Sequence, residues 1–237
     1  MKKVKNKIAI ICALSREIEA VKKEFTFTKE VKYLDYKFEL GTLNDNQIIL
    51  CQLGIGKVNA AVFTTILIEQ FNPDLIINVG IAAGYADYLK TLDVVVAEGF
   101  FYHDCDMTPI SDVSYGQIED LPLIFPATLD VKEYFEKIKN ESEGKVYLGL
   151  IATGDQFVAD YQKEKEKFDK YFKDLNVLAI DMESASVAHV CYLYKKPVLI
   201  IRSISDCLAS PTNQFDYLEF ADKASLTSAK MLKTLLK

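Results

Sequence analysis

A three-layer α/β/α fold around a central mixed, mostly parallel sheet is the architecture this sequence predicts. Three observations carry that prediction. Apolar runs of strand length recur along the 237 residues, helical patterns separate most of them, and several runs are apolar without alternation, as strands buried on both faces are. Half of the residues are apolar, enough for a sizeable core. No linker-like, repeated or low-complexity stretch divides the chain, so one domain over residues 1–237 is expected.

The elements follow in order. The run KIAIICAL (7–14) is the first strand, and a helical pattern from Ser15 to about Phe25 follows it. Ser15 reads as the N-cap, with Glu17 and Glu19 near the positive helix end. Residues 36–53 hold two runs around Asn44-Asp45-Asn46, a hairpin signature. Residues 57–71 read as a helix with an apolar face, and 74–80 and 93–103 as buried strands. The segment 104–126 lacks periodicity and is long for a loop, a length that often carries function. A helix is expected over 131–139, a strand over 145–153, a charged helix over 160–173 and a strand over 177–180. A helix over 184–194, a strand over 197–205 and a final amphipathic helix from about 216 complete the order.

Composition excludes several classes. The net charge is −6 and the sequence holds two arginines, Arg16 and Arg202. Without basic stripes, nucleic acid is not an expected partner. Five scattered cysteines without CxxC spacing point to reduced thiols in a cytoplasm, and two distant histidines make a His-based metal centre improbable. The basic start followed by an apolar run resembles a signal peptide superficially, but the run soon meets Arg16 and Glu17. No run approaches the roughly 20 apolar residues of a membrane-spanning helix.

In such sheets ligands bind beyond the carboxyl ends of the strands. The residues there are Glu17, the turn GIGK (54–57), NVGIAAG (78–84), TGDQFV (153–158), DMES (181–184) and RSISD (202–206). Four carboxylates, Glu17, Asp181, Glu183 and Asp206, therefore converge on one edge beside Arg202. The glycine turn is not a phosphate loop. A P-loop needs glycine at Cys51 and Ser or Thr at Val58, and a dinucleotide fingerprint needs glycine at Asn59. Bland readings compete at each acid. Glu17 could simply favour the helix dipole, and Asp206 could cap a turn or pair with Arg202. Asp181 and Glu183 would face opposite sides if the strand ran through both. His103 and His189 read as core or helix-face residues. Asp104 and Asp106 are weak evidence for a metal.

Taken together, IAIICALSREIEAV, LGIGKVNAA, DLIINVGIAAG, YHDCDMT, TGDQFV, DMESASVAHV and RSISD resemble, in order and spacing, the 5′-methylthioadenosine/S-adenosylhomocysteine nucleosidases of the nucleoside phosphorylase superfamily. The resemblance runs from Ile8 to near the C-terminus. It implies a nucleoside phosphorylase-like fold and a hydrolase that frees adenine from methylthioadenosine, S-adenosylhomocysteine or 5′-deoxyadenosine, with no metal or organic cofactor. It implies adenine against Phe157 and Val158, an acid for purine N7 at Asp206, a ribose-gripping Glu183 beside Met182, and a water-activating Glu17 with Arg202 helping to position the water. It also implies an apolar pocket for the 5′ substituent at Leu14, Ile55, Ile110 and Phe215, and a cytoplasmic homodimer in which the partner completes that pocket.

Three departures from the family pattern stand out. Ile81 replaces a small hydroxyl residue on the ribose side, Ala83 a common glycine, and Asp181 a usual glutamate. A phosphorylase would need several donors for phosphate, and two arginines make that pocket hard to build. Rival readings are an aminodeoxyfutalosine nucleosidase, a purine nucleoside phosphorylase, and a non-catalytic nucleoside-binding protein.

Overall fold

In the computed structural model, residues 6–210 and 213–236 are described. The chain runs β1 (Lys7–Cys12), α1 (Ser15–Glu24), β2 (Phe27–Tyr33), β3 (Tyr36–Leu43), β4 (Asn46–Gln52), α2 (Lys57–Phe71), β5 (Leu75–Gly84) and β6 (Val94–Tyr102). It continues with β7 (Phe125–Pro126), α3 (Val131–Ile138), β8 (Val146–Thr153), α4 (Tyr161–Tyr171), β9 (Val177–Asp181), α5 (Ser184–Tyr194), β10 (Val198–Cys207) and α6 (Asn213–Leu236).

The described strands form one mixed sheet in the order β10-β6-β8-β9-β5-β1-β4-β3-β2, with β7 on β6. The expected alternation of strands and helices is present. Strand β10 also pairs with β5, so β5, β9, β8, β6 and β10 close into a ring, and β1 to β4 extend from β5 as an open wing. Helical periodicity and apolar runs do not encode that closure, which depends on curvature and register.

Alternation along β1 shows why its run is continuously apolar. Ala9 and Ile11 pack into one core with Phe63 and Leu67 of α2 and Val187 of α5. Ile8, Ile10 and Cys12 pack into the other, with Ile18 and Val21 of α1 and Leu232 of α6. Successive side chains of a strand point to opposite faces, so a strand covered on both sides must be apolar at every position.

Strand β2 is not among the elements the sequence predicts. It is a mostly exposed edge, FTKEVKY, held by antiparallel pairing with β3, and its charged positions give no hydrophobic pattern. The hairpin turn lies where expected, with Asn44 and Asp45 in the left-handed region at φ 50° and 67°. No helix among the described residues is long and apolar enough to cross a membrane.

Candidate active site

Where β1, β5, β9 and β10 end, a cavity of about 140 Å³ opens to solvent. Its lining includes Glu17, Glu183 and Asp206, together with Leu14, Ile55, Ile81, Phe157, Val158 and Met182. The strand ends thus bring together most of the residues that the sequence singles out.

Glu17 is held by the start of its own helix. The N-cap of α1 is Leu14, not Ser15, which makes Glu17 the third helical residue. Its carboxylate reaches back to accept from the Ala13 and Leu14 N–H groups at 2.8 and 2.9 Å, as in half of a capping box. The other oxygen accepts from the Ile81 N–H of β5 at 3.0 Å. A Cβ on Gly80 would lie 2.5 Å from Glu17 Oε1, so glycine there leaves room for the carboxylate and any side chain would displace it. The helix-start reading of Glu17 and its place in the cavity are therefore one geometry. Burial pushes its pKa up, against the pull of Arg202 and three N–H donors.

Asp181 and Glu183 divide their labour through the helix N-terminus between them. Asp181 Oδ1 accepts from the Glu183 and Ser184 N–H groups at 3.3 and 3.2 Å and from Thr153 Oγ1 at 2.6 Å. The Ser184 hydroxyl donates to its other oxygen. Asp181 thus caps α5, and Glu183, formally its N-cap, makes no side-chain cap bond. The Glu183 carboxylate instead accepts from the Gly56 N–H at 2.8 Å across the cavity mouth. Burial first, and Asp181 second, raise the Glu183 pKa to about 8.

Arg202 does not face the cavity as the resemblance implied. It is 2% exposed and pairs with Asp181 at 3.0 Å. Its remaining donors go to the Asn78 side chain at 2.5 Å and to the Asn78 and Ile201 carbonyls. All five N–H groups are engaged, because an unpaired Asp181 this deep would be costly. Arg202 is a counter-ion behind the acids, and water positioning is not open to it in this arrangement. The same pairing corrects the bland reading of Asp206 as its partner.

Asp206 follows a register shift in β10, and Ser205 donates to its Oδ1 at 2.6 Å. Its Oδ2 is buried without a hydrogen-bond partner among the described residues. Burial raises its pKa to about 6 despite the Ser205 hydroxyl, with Asp216 adding to the rise. Such a carboxyl keeps its proton up to about pH 6, well above an ordinary aspartate, and can serve as a general acid.

On the opposite wall, Phe157 is half exposed and stands edge-on to Tyr217, with centroids 5.5 Å apart. Two residues expected in the apolar pocket do not line it. Ile110 is 82% exposed on the long loop and Phe215 is 75% exposed near the start of α6. Each sits on the outer surface of the chain, clear of the lining.

Ser205, Gln156 and Tyr217 also belong to the lining: the first two lie in the stretches RSISD and TGDQFV that the sequence places at the strand ends, whereas sequence reasoning misses Tyr217. The available signal for Ser205 is its place immediately before Asp206. Tyr217 carries no local signal, since α6 reaches the cavity through tertiary packing.

Over residues 7–237 the chain matches the family described as the phosphorylase superfamily. It is 33% identical over 229 residues to a 5′-methylthioadenosine/S-adenosylhomocysteine nucleosidase of Staphylococcus aureus, covering 97% of this chain and 98% of that protein. Among solved structures, it superimposes on the nucleosidase of that name from Neisseria meningitidis, in complex with methylthio-immucillin-A, with a TM-score of 0.90. That match has 32% identity and covers 98% of this chain and 99% of the other. A futalosine hydrolase of Helicobacter pylori aligns with a TM-score of 0.88 and 29% identity, covering 97% of each chain.

Proposed function

The chain belongs to the phosphorylase superfamily, and from that premise we propose that it is a nucleosidase hydrolysing the N-glycosidic bond of 5′-methylthioadenosine and S-adenosylhomocysteine. One observation carries the reading: four buried carboxylates, Glu17, Asp181, Glu183 and Asp206, line one cavity, and Asp206 Oδ2 has no hydrogen-bond partner among the described residues.

The roles follow from environment. Adenine lies against Phe157 and Val158. Protonated Asp206 gives its proton to purine N7 as the bond from C1′ to N9 breaks, so the base leaves neutral. The sugar becomes oxocarbenium-like, and Glu183, gripping the ribose hydroxyls beside Met182, stabilises that charge when ionised. Glu17 takes a proton from water as its oxygen bonds to C1′. The products are adenine and the 5-substituted ribose. The raised pKa of Glu17 brings its basicity towards the working pH.

Water rather than phosphate is the nucleophile. Among the described residues no lysine or arginine lines the cavity. Arg202 is committed to Asp181, and Arg16 is paired at the surface with Asp222 at 2.8 Å. A phosphate dianion would meet four carboxylates and no lysine or arginine among the described lining residues.

The 5′ substituent lies towards Leu14 and Ile55. This end is open in one chain: Ile55 is 51% exposed, and Val58 and Val62 of α2 are 71% and 46% exposed. A second copy packed on that apolar face would cover it and bring Ile110 into play, so the working form is a homodimer in the cytoplasm. Because chains named for methylthioadenosine and for futalosine share this fold, the 5′ preference is set at this mouth and not by the sheet.

The test is product analysis with methylthioadenosine, with and without phosphate. Phosphate-independent release of adenine and free methylthioribose is expected. Release that requires phosphate and yields a sugar 1-phosphate would overturn the hydrolase reading, and no release would favour another nucleoside or a binding role.

A further inference from the structure

Resting on that reading of the cavity, we propose that Lys57 and Asp104 are positioning residues. With Asp155 they form a clasp that makes the ribose-side and base-side loops one unit. The Lys57 ammonium donates to both Asp104 oxygens at 2.8 and 2.7 Å. Asp104 Oδ2 accepts from the Asp155 N–H at 2.9 Å, and Asp155 Oδ1 accepts from the Lys57 N–H at 2.7 Å. These bonds close a ring over three segments: the turn before α2, the end of β6 where the long loop begins, and the loop between β8 and α4.

None of the three residues lines the cavity, but their neighbours do its work. Beside Lys57, the Gly56 N–H holds Glu183. Beside Asp155 follow Gln156, Phe157 and Val158, which line the cavity. Gly56 permits the close approach: its φ is 92°, and a Cβ there would lie 3.0 Å from Asp155 Oδ1. The Lys57 ammonium also sits 5.4 Å from the ring centroid of the buried Tyr102, a cation–π contact. Burial pushes the Asp104 carboxyl up, but Lys57 and the Asp155 N–H outweigh it and hold its pKa below the ordinary value.

A solvated surface ion pair is the plainer reading, and its side chains are indeed 26% and 23% exposed. Such a pair contributes little to global stability. It would not, however, recruit backbone N–H groups from two separate loops into one ring. The clasp instead fixes the distance between the group that grips the sugar and the groups that hold the base. Small displacements between those sites are costly in rate.

Lys57→Met, Asp104→Ala and the double variant test this. Kinetics on methylthioadenosine, affinity for free adenine and hydrogen exchange of residues 54–58 and 154–158 would be measured, with thermal melts as a check on folding. Each single variant should lower kcat/KM about tenfold, mostly in kcat, because oriented groups lose their alignment. Adenine affinity should stay within about twofold, and the double variant should be no worse than either single, because coupled residues are not additive. Both segments should exchange faster in each variant. Multiplicative losses, or faster exchange confined to the mutated loop, would overturn the clasp. Exchange needs no turnover, so a wild-type protein inactive on methylthioadenosine would sink the functional reading while the clasp is still judged.

Discussion

The two halves of the cavity are built differently. On the acid side, Glu17, Glu183 and Asp206 are 4%, 7% and 2% exposed, and backbone N–H groups, a hydroxyl and a buried counter-ion network set their places. On the mouth side, Ile55 and Phe157 are 51% and 52% exposed. Bond cleavage needs charges fixed in a dry setting, which a closed ring of strands in one chain supplies. Holding an apolar tail needs only surface that something else will cover.

Removing the acid should give the largest difference between the halves. Asp206→Asn is expected to lower kcat by about 10²–10⁴-fold while the protein still folds and binds ligand. Steady-state kinetics beside a calorimetric binding curve would show it, and full turnover would remove Asp206 from its role. The pH dependence carries a sign. In the proposed role Asp206 acts protonated, so kcat/KM should fall as pH rises through about 6 on its account. Its folded pKa lies above the ordinary 3.8, so its contribution to stability is full below 3.8 and is lost as pH rises through about 6. Both dependences should vanish in Asp206→Asn.

Next in size is Arg202→Met, which leaves Asp181 buried without its cation. A loss of about 3–5 kcal/mol in unfolding free energy is expected. Chemical denaturation would measure it, and a variant of parental stability would show that Arg202 is not the structural counter-ion.

The mouth offers a subtler test. Ile110→Ser should raise KM for methylthioadenosine by about threefold to tenfold, with kcat nearly unchanged, through lost apolar contact. An effect is expected only if a second copy brings Ile110 to the cavity, since in one chain it lies outside the lining. An unchanged KM would break the dimer reading and leave the mouth open.

The smallest effect should come from Ser205→Ala. Its hydroxyl favours the charged form of Asp206, so losing it should raise that pKa and move the fall in kcat/KM to higher pH. The shift should correspond to about 1 kcal/mol, the value of one hydrogen bond. A limb that stays put would mean the hydroxyl is not coupled to the acid.

Much of the fold and of the acid cluster is legible in the residue pattern. The bounds of α2 and α5 match the apolar and small-residue runs, and β1, β8 and β10 fall where continuous apolar stretches predict strands buried on both faces. Glu17, Glu183 and Asp206 stand out because acids are seldom found at the ends of greasy strands. Strand β2 is not legible, since an exposed edge carries no hydrophobic pattern and exists through its bonds to β3. Nor is the true place of Arg202, which neighbours Asp181 only after β9 and β10 are folded into one ring.

The sequence by itself determined the order of strands and helices and the set of acids at the strand ends. Those follow from burial of apolar side chains, a property of local pattern. The tertiary structure decided what each acid is. It assigned Asp181 to a helix start and a cation, released Glu183 to the Gly56 N–H, and left Oδ2 of the lining residue Asp206 buried without a hydrogen-bond partner among the described residues. Ionisation and hydrogen bonding depend on neighbours distant in the chain, and only folding brings them within reach.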